Sequence, residues 1–98
     1  MGYNIYRIKS FGHKGLKEFY ETGSKNGIQP KHYSKLTRIL DRLDASTCSN
    51  DMNLPNYHLH KLQGNKEEKW SVWVDENWRI IFYFEKMNAY LVDYVDYH

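Results

Sequence analysis

Apolar side chains recur at helical spacing in the first half of this chain. Residues 13–21 carry one such pattern and are followed by Gly23, a natural helix end. A second helix is predicted over residues 30–44, because Pro30 suits the first turn of a helix. Ahead of both helices, the alternation of residues 3–8 predicts a strand. The apolar positions of the two helices are Leu16, Phe19, Tyr20, Tyr33, Leu36, Ile39, Leu40 and Leu43.

The second half of the chain has the alternating pattern that is typical of strands. Strands are predicted over residues 57–62, 70–74, 78–84 and 89–94. The stretch 45–55, which is rich in Ser, Asn and Asp, predicts an irregular connection with one helical turn near residues 51–53. The order predicts an α+β fold: a strand, two helices, and then a twisted antiparallel sheet of about four strands with the helices packed on one face.

Length and composition fit one folded domain, residues 1–98. Aromatic residues make up 16% of the chain and include nine tyrosines, which favours sheet and stacking surfaces. The formal net charge of +2 is too weakly basic to indicate nucleic-acid binding by itself. Cys48 is the single cysteine, so neither an intrachain disulfide nor a cysteine-based zinc site is expected.

Several other classes of protein do not fit the sequence. No apolar run approaches the roughly 18 residues of a membrane span, and no signal-peptide pattern opens the chain. We therefore expect a cytoplasmic protein with no membrane partner. The sequence also contains no glycine-rich phosphate loop and no serine in a nucleophile elbow, so acyl-enzyme hydrolysis is not expected.

Candidate chemistry lies on the predicted strands. Asp96-Tyr97-His98 places an acid, a phenol and an imidazole side by side, and Arg79 is the one cation inside an apolar aromatic strand. His58 and His60 are two residues apart on a predicted strand and should therefore point to one face. Two histidines without a third ligand are a weak metal signal, so we expect neither a metal nor a cofactor. The sheet face without helices is where these groups are expected to converge.

This set of groups suits the cleavage of RNA, in which the attacking group belongs to the substrate. A ribose 2′-hydroxyl attacks the adjacent phosphorus when one group takes its proton, another protonates the leaving 5′-oxygen, and a cation stabilises the phosphate oxygens. Tyr and Trp rings can stack exposed bases. The same residues are also compatible with a structural or partner-binding role. The candidate groups are His60, Arg79, Asp96, Tyr97 and His98.

The outer face of the second predicted helix is basic. Such a stripe is usually a solvated face, and its alternative use is contact with a nucleic-acid backbone. Its members are Lys31, Lys35, Arg38 and Arg42.

Short segments along nearly the whole chain follow the pattern of one known family. They are Ser10-Phe11, His13-Lys14-Gly15-Leu16-Lys17, residues 19–24, Gly27-Ile28-Gln29-Pro30, residues 51–55, Leu59-His60, Trp70-Ser71-Val72, Asn77-Trp78-Arg79 and residues 92–98. With these segments the chain resembles the HigB-type toxins, in the GraT-like branch of the RelE/ParE superfamily.

The resemblance implies a ribosome-dependent endoribonuclease that enters the decoding site and cuts messenger RNA there. It also implies inhibition by a HigA-type helix-turn-helix antitoxin, and binding of the complex to operator DNA through that antitoxin. By position, His60, Arg79, Asp96, Tyr97 and His98 match residues that the family associates with cleavage. The residues expected to contact RNA or the ribosome are Lys31, Lys35, Arg38, Arg42, Lys61 and Lys66.

The chain departs from the family pattern at two places. Gln63 stands where the family commonly has a lysine, and Asp75-Glu76 stands where some relatives carry an arginine. Lys61 and Lys66 are candidate replacements, although strand alternation points Lys61 away from His60. Two alternatives therefore stay open: a slow or degenerate nuclease that acts mainly through antitoxin binding, and a non-nuclease toxin that inhibits gyrase or blocks ribosomes.

Overall fold

The structure is a computed structural model that describes residues 6–64 and 68–97. Two α-helices were predicted, and both are confirmed: α1, Lys14–Thr22, and α2, Tyr33–Ala45. Two short 3₁₀ helices, Pro30–His32 and Ser49–Met52, precede and follow α2. The second of them confirms the helical turn predicted in the connection after α2. Within the described parts of the chain, no helix has the length and apolar character needed to cross a membrane.

Local signals in the sequence fix where α1 begins and ends. The Nδ1 atom of His13 accepts the N–H of Leu16 at 2.9 Å and caps the first turn. Gly23 adopts a left-handed conformation with a φ of 79° and donates its N–H to Phe19 O, which closes the last turn. Leu16 is fully buried, so the apolar face of α1 packs into the core.

Four strands of the described chain form one antiparallel sheet in the order β1-β2-β3-β4. The central hairpin, β2 with β3, is joined by the Asp75–Trp78 turn, in which the Asp75 carboxylate accepts two backbone N–H groups. With the two helices, this sheet confirms the predicted α+β fold. The strands are β1, His60–Lys61; β2, Lys69–Trp73; β3, Trp78–Glu85; and β4, Asn88–Asp96.

Strand alternation gives the sheet two different faces. Val72, Ile80 and Tyr94 lie opposite one another across three strands and are buried in the core with the apolar side chains of α2. Trp73, Arg79 and Val95 form the next row and therefore lie on the face away from that core. The row that carries Arg79 is thus presented on the opposite side from the helices.

The strand predicted over residues 57–62 is wrong in its first half. Asn56 and His58 have φ values of 71° and 50°, which a continuous strand does not accommodate. Pairing with β2 begins only at His60, opposite Ser71. His58 and His60 were predicted to share a face because they are two residues apart on one strand. His58 precedes the strand, so that reason is wrong.

The first predicted strand is also displaced. Residues 3–5 lie outside the described residues, and the pairing that is seen falls later, at Ile8 and Phe11. These two residues form parallel bridges with Ala89 and Val92 of β4. Residues 8–11 thus cover the outer edge of β4, including a hydrogen bond from Leu91 N to the Ser10 hydroxyl at 2.9 Å.

Asp44 joins three separate parts of the chain. One carboxylate oxygen accepts the N–H of Ile8 at 3.0 Å, and the other accepts the hydroxyl of Tyr20 at 2.5 Å. Burial and the hydrogen bond to Asp44 raise the pKa of Tyr20 well above its ordinary value, so its hydroxyl remains a donor. This side chain on α2 therefore ties the edge segment and α1 to the second helix.

Candidate functional site

A cavity of about 430 Å³ opens on the sheet face that carries Arg79. We call it the Arg79 cavity. It combines four aromatic or imidazole rings with a guanidinium and two leucines, and it is formed by residues of β1, β2 and β3 and by residues that flank β1 and follow β4. Its lining residues are His58, Leu59, His60, Leu62, Ser71, Trp73, Arg79 and Tyr97.

Arg79 is held from several sides. Its Nη1 donates to the carbonyl of Asp75 at 2.7 Å and to that of Trp78 at 3.2 Å. Its Cζ lies 4.5 Å from the ring centroid of Trp73 and 5.4 Å from that of Tyr97. Cation–π contact and two carbonyl acceptors fix the guanidinium plane while the other N–H groups keep their capacity to bind an anion. Arg79 is thus a half-buried guanidinium that is held in place and can still bind an anion.

The two histidines reach the cavity by different routes. His60 is exposed on β1, opposite Ser71. His58 is exposed as well, and its ring stacks on Trp73 with centroids 3.8 Å apart and an interplanar angle of 25°. The positive φ of His58 turns the chain just before β1, so both rings line one cavity even though the predicted strand does not exist there.

The end of β4 lies beside the turn that joins β2 and β3. Tyr97 donates its N–H to Asn77 O at 2.7 Å, and its side chain, 51% exposed, lines the cavity. Asp96 pairs with Trp78 rather than with Arg79, so strand alternation places its side chain on the face of the sheet opposite to Arg79. His98 lies outside the described residues. The structure therefore brings together His60, Arg79 and Tyr97, and it separates Asp96 from the cavity lining.

A buried histidine that the sequence analysis did not single out lies directly behind the turn. His32 is 2% exposed; its Nδ1 lies 2.6 Å from the hydroxyl of Tyr94 and its Nε2 lies 2.7 Å from Asp75 Oδ2. Burial alone raises the pKa of Asp75, but hydrogen bonds from His32 and from the N–H groups of Trp78 and Asn77 outweigh it and bring the pKa to about 2. Asp75 is therefore ionised at neutral pH, and His32 donates to it.

Comparison with known proteins identifies the family of this chain. Residues 9–98 match the family model of the HigB-like toxins, described as RelE-like toxins of type II toxin–antitoxin systems. The chain belongs to this family. It is similar to a protein named Endoribonuclease HigB from Proteus vulgaris, with 41% identity over 91 residues that cover 93% of this chain and 99% of that protein. Membership of a type II toxin family implies an antitoxin partner.

The basic residues predicted on one helix lie on two elements, Lys31 in the 3₁₀ helix before α2 and the other three in α2, and several of them have partners within the chain. Lys31 Nζ lies 3.8 Å from Asp75 Oδ2, and Arg42 donates to the backbone carbonyl of Asp51. Lys35 lies over the ring of Tyr57 at 4.6 Å, and burial, with the neighbouring charge of Arg38, lowers its pKa. Lys31, Arg38 and Arg42 are exposed, so their charges face solvent.

Lys61 and Lys66, the candidate replacements for the lysine expected from the family pattern, differ in what the structure shows of them. Lys61 is exposed on β1, 3.8 Å from Glu68 and over the ring of Trp70, and it does not line the Arg79 cavity. Lys66 lies outside the described residues. Among residues 6–64 and 68–97, no cluster of three or more His, Cys, Asp or Glu side chains has a geometry that could hold a metal ion.

Proposed function

We propose that this toxin is a ribosome-dependent endoribonuclease that cuts messenger RNA in the decoding site by attack of a ribose 2′-hydroxyl. The observation that carries the proposal is the Arg79 guanidinium, held between Trp73 and Tyr97 in a cavity that His60 also lines. The name of the Proteus vulgaris relative, an endoribonuclease, supports the same reaction class.

In the proposed reaction Arg79 binds the scissile phosphate. The 2′-oxygen loses its proton to a base, forms a bond to phosphorus, and displaces the 5′-oxygen, which takes a proton from an acid. The products are a 2′,3′-cyclic phosphate and a 5′-hydroxyl, so the step balances without a water molecule. A guanidinium that is already oriented stabilises the additional charge on the phosphate oxygens without reorganising.

The proton-transfer roles fall to His60, Tyr97 and His98, with Asp96 orienting the end of the chain. His60 and Tyr97 line the cavity at two of its sides. Asp96 lies near the buried Tyr94, whose pKa is raised mainly by burial and also by the carboxylates of Asp75 and Asp96. Asp96 lies on the opposite face of the sheet from the cavity. That position suits a role in orienting the end of the chain better than it suits direct proton transfer.

The aromatic lining gives RNA a surface to stack on. His58 and Trp73 already form a stacked pair, and Tyr97 presents half of its surface to solvent. A base-stacking contact of this kind contributes about 1–3 kcal/mol and tolerates any base. We propose that these rings position the nucleotides that flank the cut.

The remaining partners follow from the same proposal. The antitoxin is of the HigA type, and operator DNA is bound only through its helix-turn-helix. The exposed cations Lys31, Arg38 and Arg42 of the toxin, with Lys35, Lys61 and Lys66, contact ribosomal RNA, and this contact is salt-sensitive and independent of sequence. The chain acts as one domain. The ribosome holds the message in the cavity, so isolated RNA is a poor substrate.

The test is a map of messenger-RNA ends during induced expression, with and without ribosomes in the matching purified reaction. We expect cuts in translated messages only, and we expect the His98→Ala variant to lose both the cuts and the growth arrest while still binding the antitoxin. No cuts in either reaction would refute the nuclease. Growth arrest that persists unchanged in His98→Ala would instead favour a toxin that inhibits gyrase or blocks ribosomes by binding.

A further inference from the structure

The turn between β2 and β3 holds both sides of the Arg79 cavity. Its carbonyl at Asp75 accepts the Arg79 guanidinium at 2.7 Å, and its carbonyl at Asn77 accepts the N–H of Tyr97, also at 2.7 Å. The geometry of the two cavity residues therefore depends on the position of these two backbone oxygens. A turn of four residues that joins two strands is usually free to shift, because it lies at the surface.

Asp75 limits that freedom because both of its carboxylate oxygens accept hydrogen bonds. Its Oδ1 atom accepts the N–H groups of Asn77 and Trp78 at 2.9 and 2.8 Å, which closes the turn. Its Oδ2 atom accepts from His32 at 2.7 Å, which connects the turn to the start of α2. One side chain thus closes the turn internally and attaches it to the helical layer.

His32 is itself fixed by a chain of hydrogen bonds. Because the Asp75 carboxylate is an acceptor, the Nε2 atom of His32 donates to it at 2.7 Å, and the Nδ1 atom shares a hydrogen bond of 2.6 Å with the hydroxyl of Tyr94. The Tyr94 oxygen in turn accepts the N–H of Gln29 at 3.3 Å. Both ring nitrogens of His32 are therefore hydrogen-bonded, in a site where the residue is 2% exposed.

We propose that His32 is a positioning residue of the cleavage site, which acts through Asp75 to hold the turn that carries Arg79 and Tyr97. The expected effect on the cleavage rate rests on the proposed endoribonuclease function. The expected effect on the mobility of the Arg79 side chain does not depend on that function. His32 does not touch the substrate. Its contribution is to keep the guanidinium where the transition-state phosphate needs it.

A packing role is the competing explanation, since His32 also contacts the stacked rings of Trp78 and Tyr94. Two substitutions separate the explanations. His32→Leu fills a similar volume with apolar atoms and removes both hydrogen bonds, whereas His32→Gln retains a donor at the position of Nε2. Glu76→Gln is the matched control, because it changes an exposed residue of the same turn outside the chain of hydrogen bonds.

Two measurements are made on the full-length toxin and these variants. The first is ribosome-dependent cleavage, with kcat and KM determined separately. The second is side-chain NMR of the arginine Nε–H groups, in which the Arg79 signal is assigned by its loss in Arg79→Lys. We expect His32→Leu to lower kcat about 10- to 100-fold with KM nearly unchanged, because a misplaced guanidinium loses its contact with the transition state. The same variant is expected to increase the mobility of the Arg79 guanidinium.

His32→Gln is expected to stay within about threefold of the wild-type kcat by the same reasoning, and Glu76→Gln to match the wild type in both measurements. If His32→Leu keeps the wild-type kcat and a rigid Arg79, the proposal is refuted. If the wild type shows no cleavage, the proposed function fails, while the NMR comparison still decides the positioning role. Should His32→Leu fail to fold, Asp75→Asn, which keeps the Oδ1 acceptor but removes the acceptor for His32, gives the same comparison.

Discussion

At the scale of one residue, the setting of Arg79 depends on the shape of its guanidinium as much as on its charge. The group lies over the ring of Trp73 and near that of Tyr97, and it donates to two carbonyls through the same nitrogen. A planar fork can do all of this and still present N–H groups to a phosphate, whereas an ammonium group is a single point of charge. Arginine and lysine are therefore not equivalent at this position.

Replacing Arg79 by Lys is expected to lower the rate of ribosome-dependent cleavage about 100-fold or more, the usual effect of losing a preorganised donor at a developing negative charge. Arg7→Lys makes the same chemical change outside the cavity and should leave the rate unchanged. Cleavage is measured in single-turnover reactions with antitoxin binding as a check of folding. A wild-type rate in Arg79→Lys would exclude the proposed role of the guanidinium.

The residues of the site differ in how visible they are in the sequence. Arg79 is conspicuous because it is a cation within an apolar strand, and the structure does place it in a cavity. His32 was overlooked, although it lies four residues after Ile28 and four before Leu36, both of which are buried. A polar residue in phase with the apolar face of a helix is the signal that indicates a buried hydrogen-bonding group.

At the scale of elements, α2 is the connection between the helical layer and the edge of the sheet. Asp44 near its end accepts the N–H of Ile8 and the hydroxyl of Tyr20. Loss of the carboxylate leaves a backbone N–H and a phenol without their acceptor in a partly buried setting, which typically costs about 1–3 kcal/mol for each unsatisfied group.

Asp44→Ala is therefore expected to lower the free energy of unfolding by about 2–4 kcal/mol, measured by urea denaturation. The control is Asp41→Ala on the same helix, where the side chain is exposed. We expect the control to change the stability by less than about 0.5 kcal/mol, as is usual for surface substitutions. Equal effects of the two substitutions would show that Asp44 is not a structural junction.

The elements also show which patterns can be interpreted from a sequence. The two helices and the β2–β3 hairpin were predicted because their apolar periods extend over several residues. The first half of the strand predicted over residues 57–62 was wrong because the chain is left-handed at Asn56 and at His58, where the His58 ring stacks on Trp73. Alternation over six residues contains no information about such contacts.

At the scale of the whole molecule, the His32–Asp75 contact links the helical layer to the sheet and makes stability depend on pH. The pKa of Asp75 falls from the ordinary 3.8 to about 2 in the folded protein, against the effect of burial and because of the hydrogen bonds that it accepts. Since the folded pKa is the lower one, the stabilisation is fully present above pH 4 and is lost as the pH falls from about 4 to 2.

Chemical denaturation between pH 2 and pH 6 tests this dependence. The wild type is expected to lose more stability than Asp75→Asn between pH 4 and pH 2, because the amide does not titrate. Glu76→Gln changes a charge in the same turn without touching His32 and should follow the wild-type profile. Parallel profiles for the wild type and Asp75→Asn would contradict the assigned pKa.

The edge segment over residues 8–11 has a further consequence for how the toxin is made. It pairs with β4, and the bond from Leu91 to Ser10 spans 81 positions of the sequence. Because a chain is synthesised from its amino terminus, this segment leaves the ribosome long before its partner strand exists. The same late strand leads to Tyr97. A growing chain therefore completes its sheet and its proposed cutting site in the same late step, so the proposed activity begins only after most of the chain has been translated.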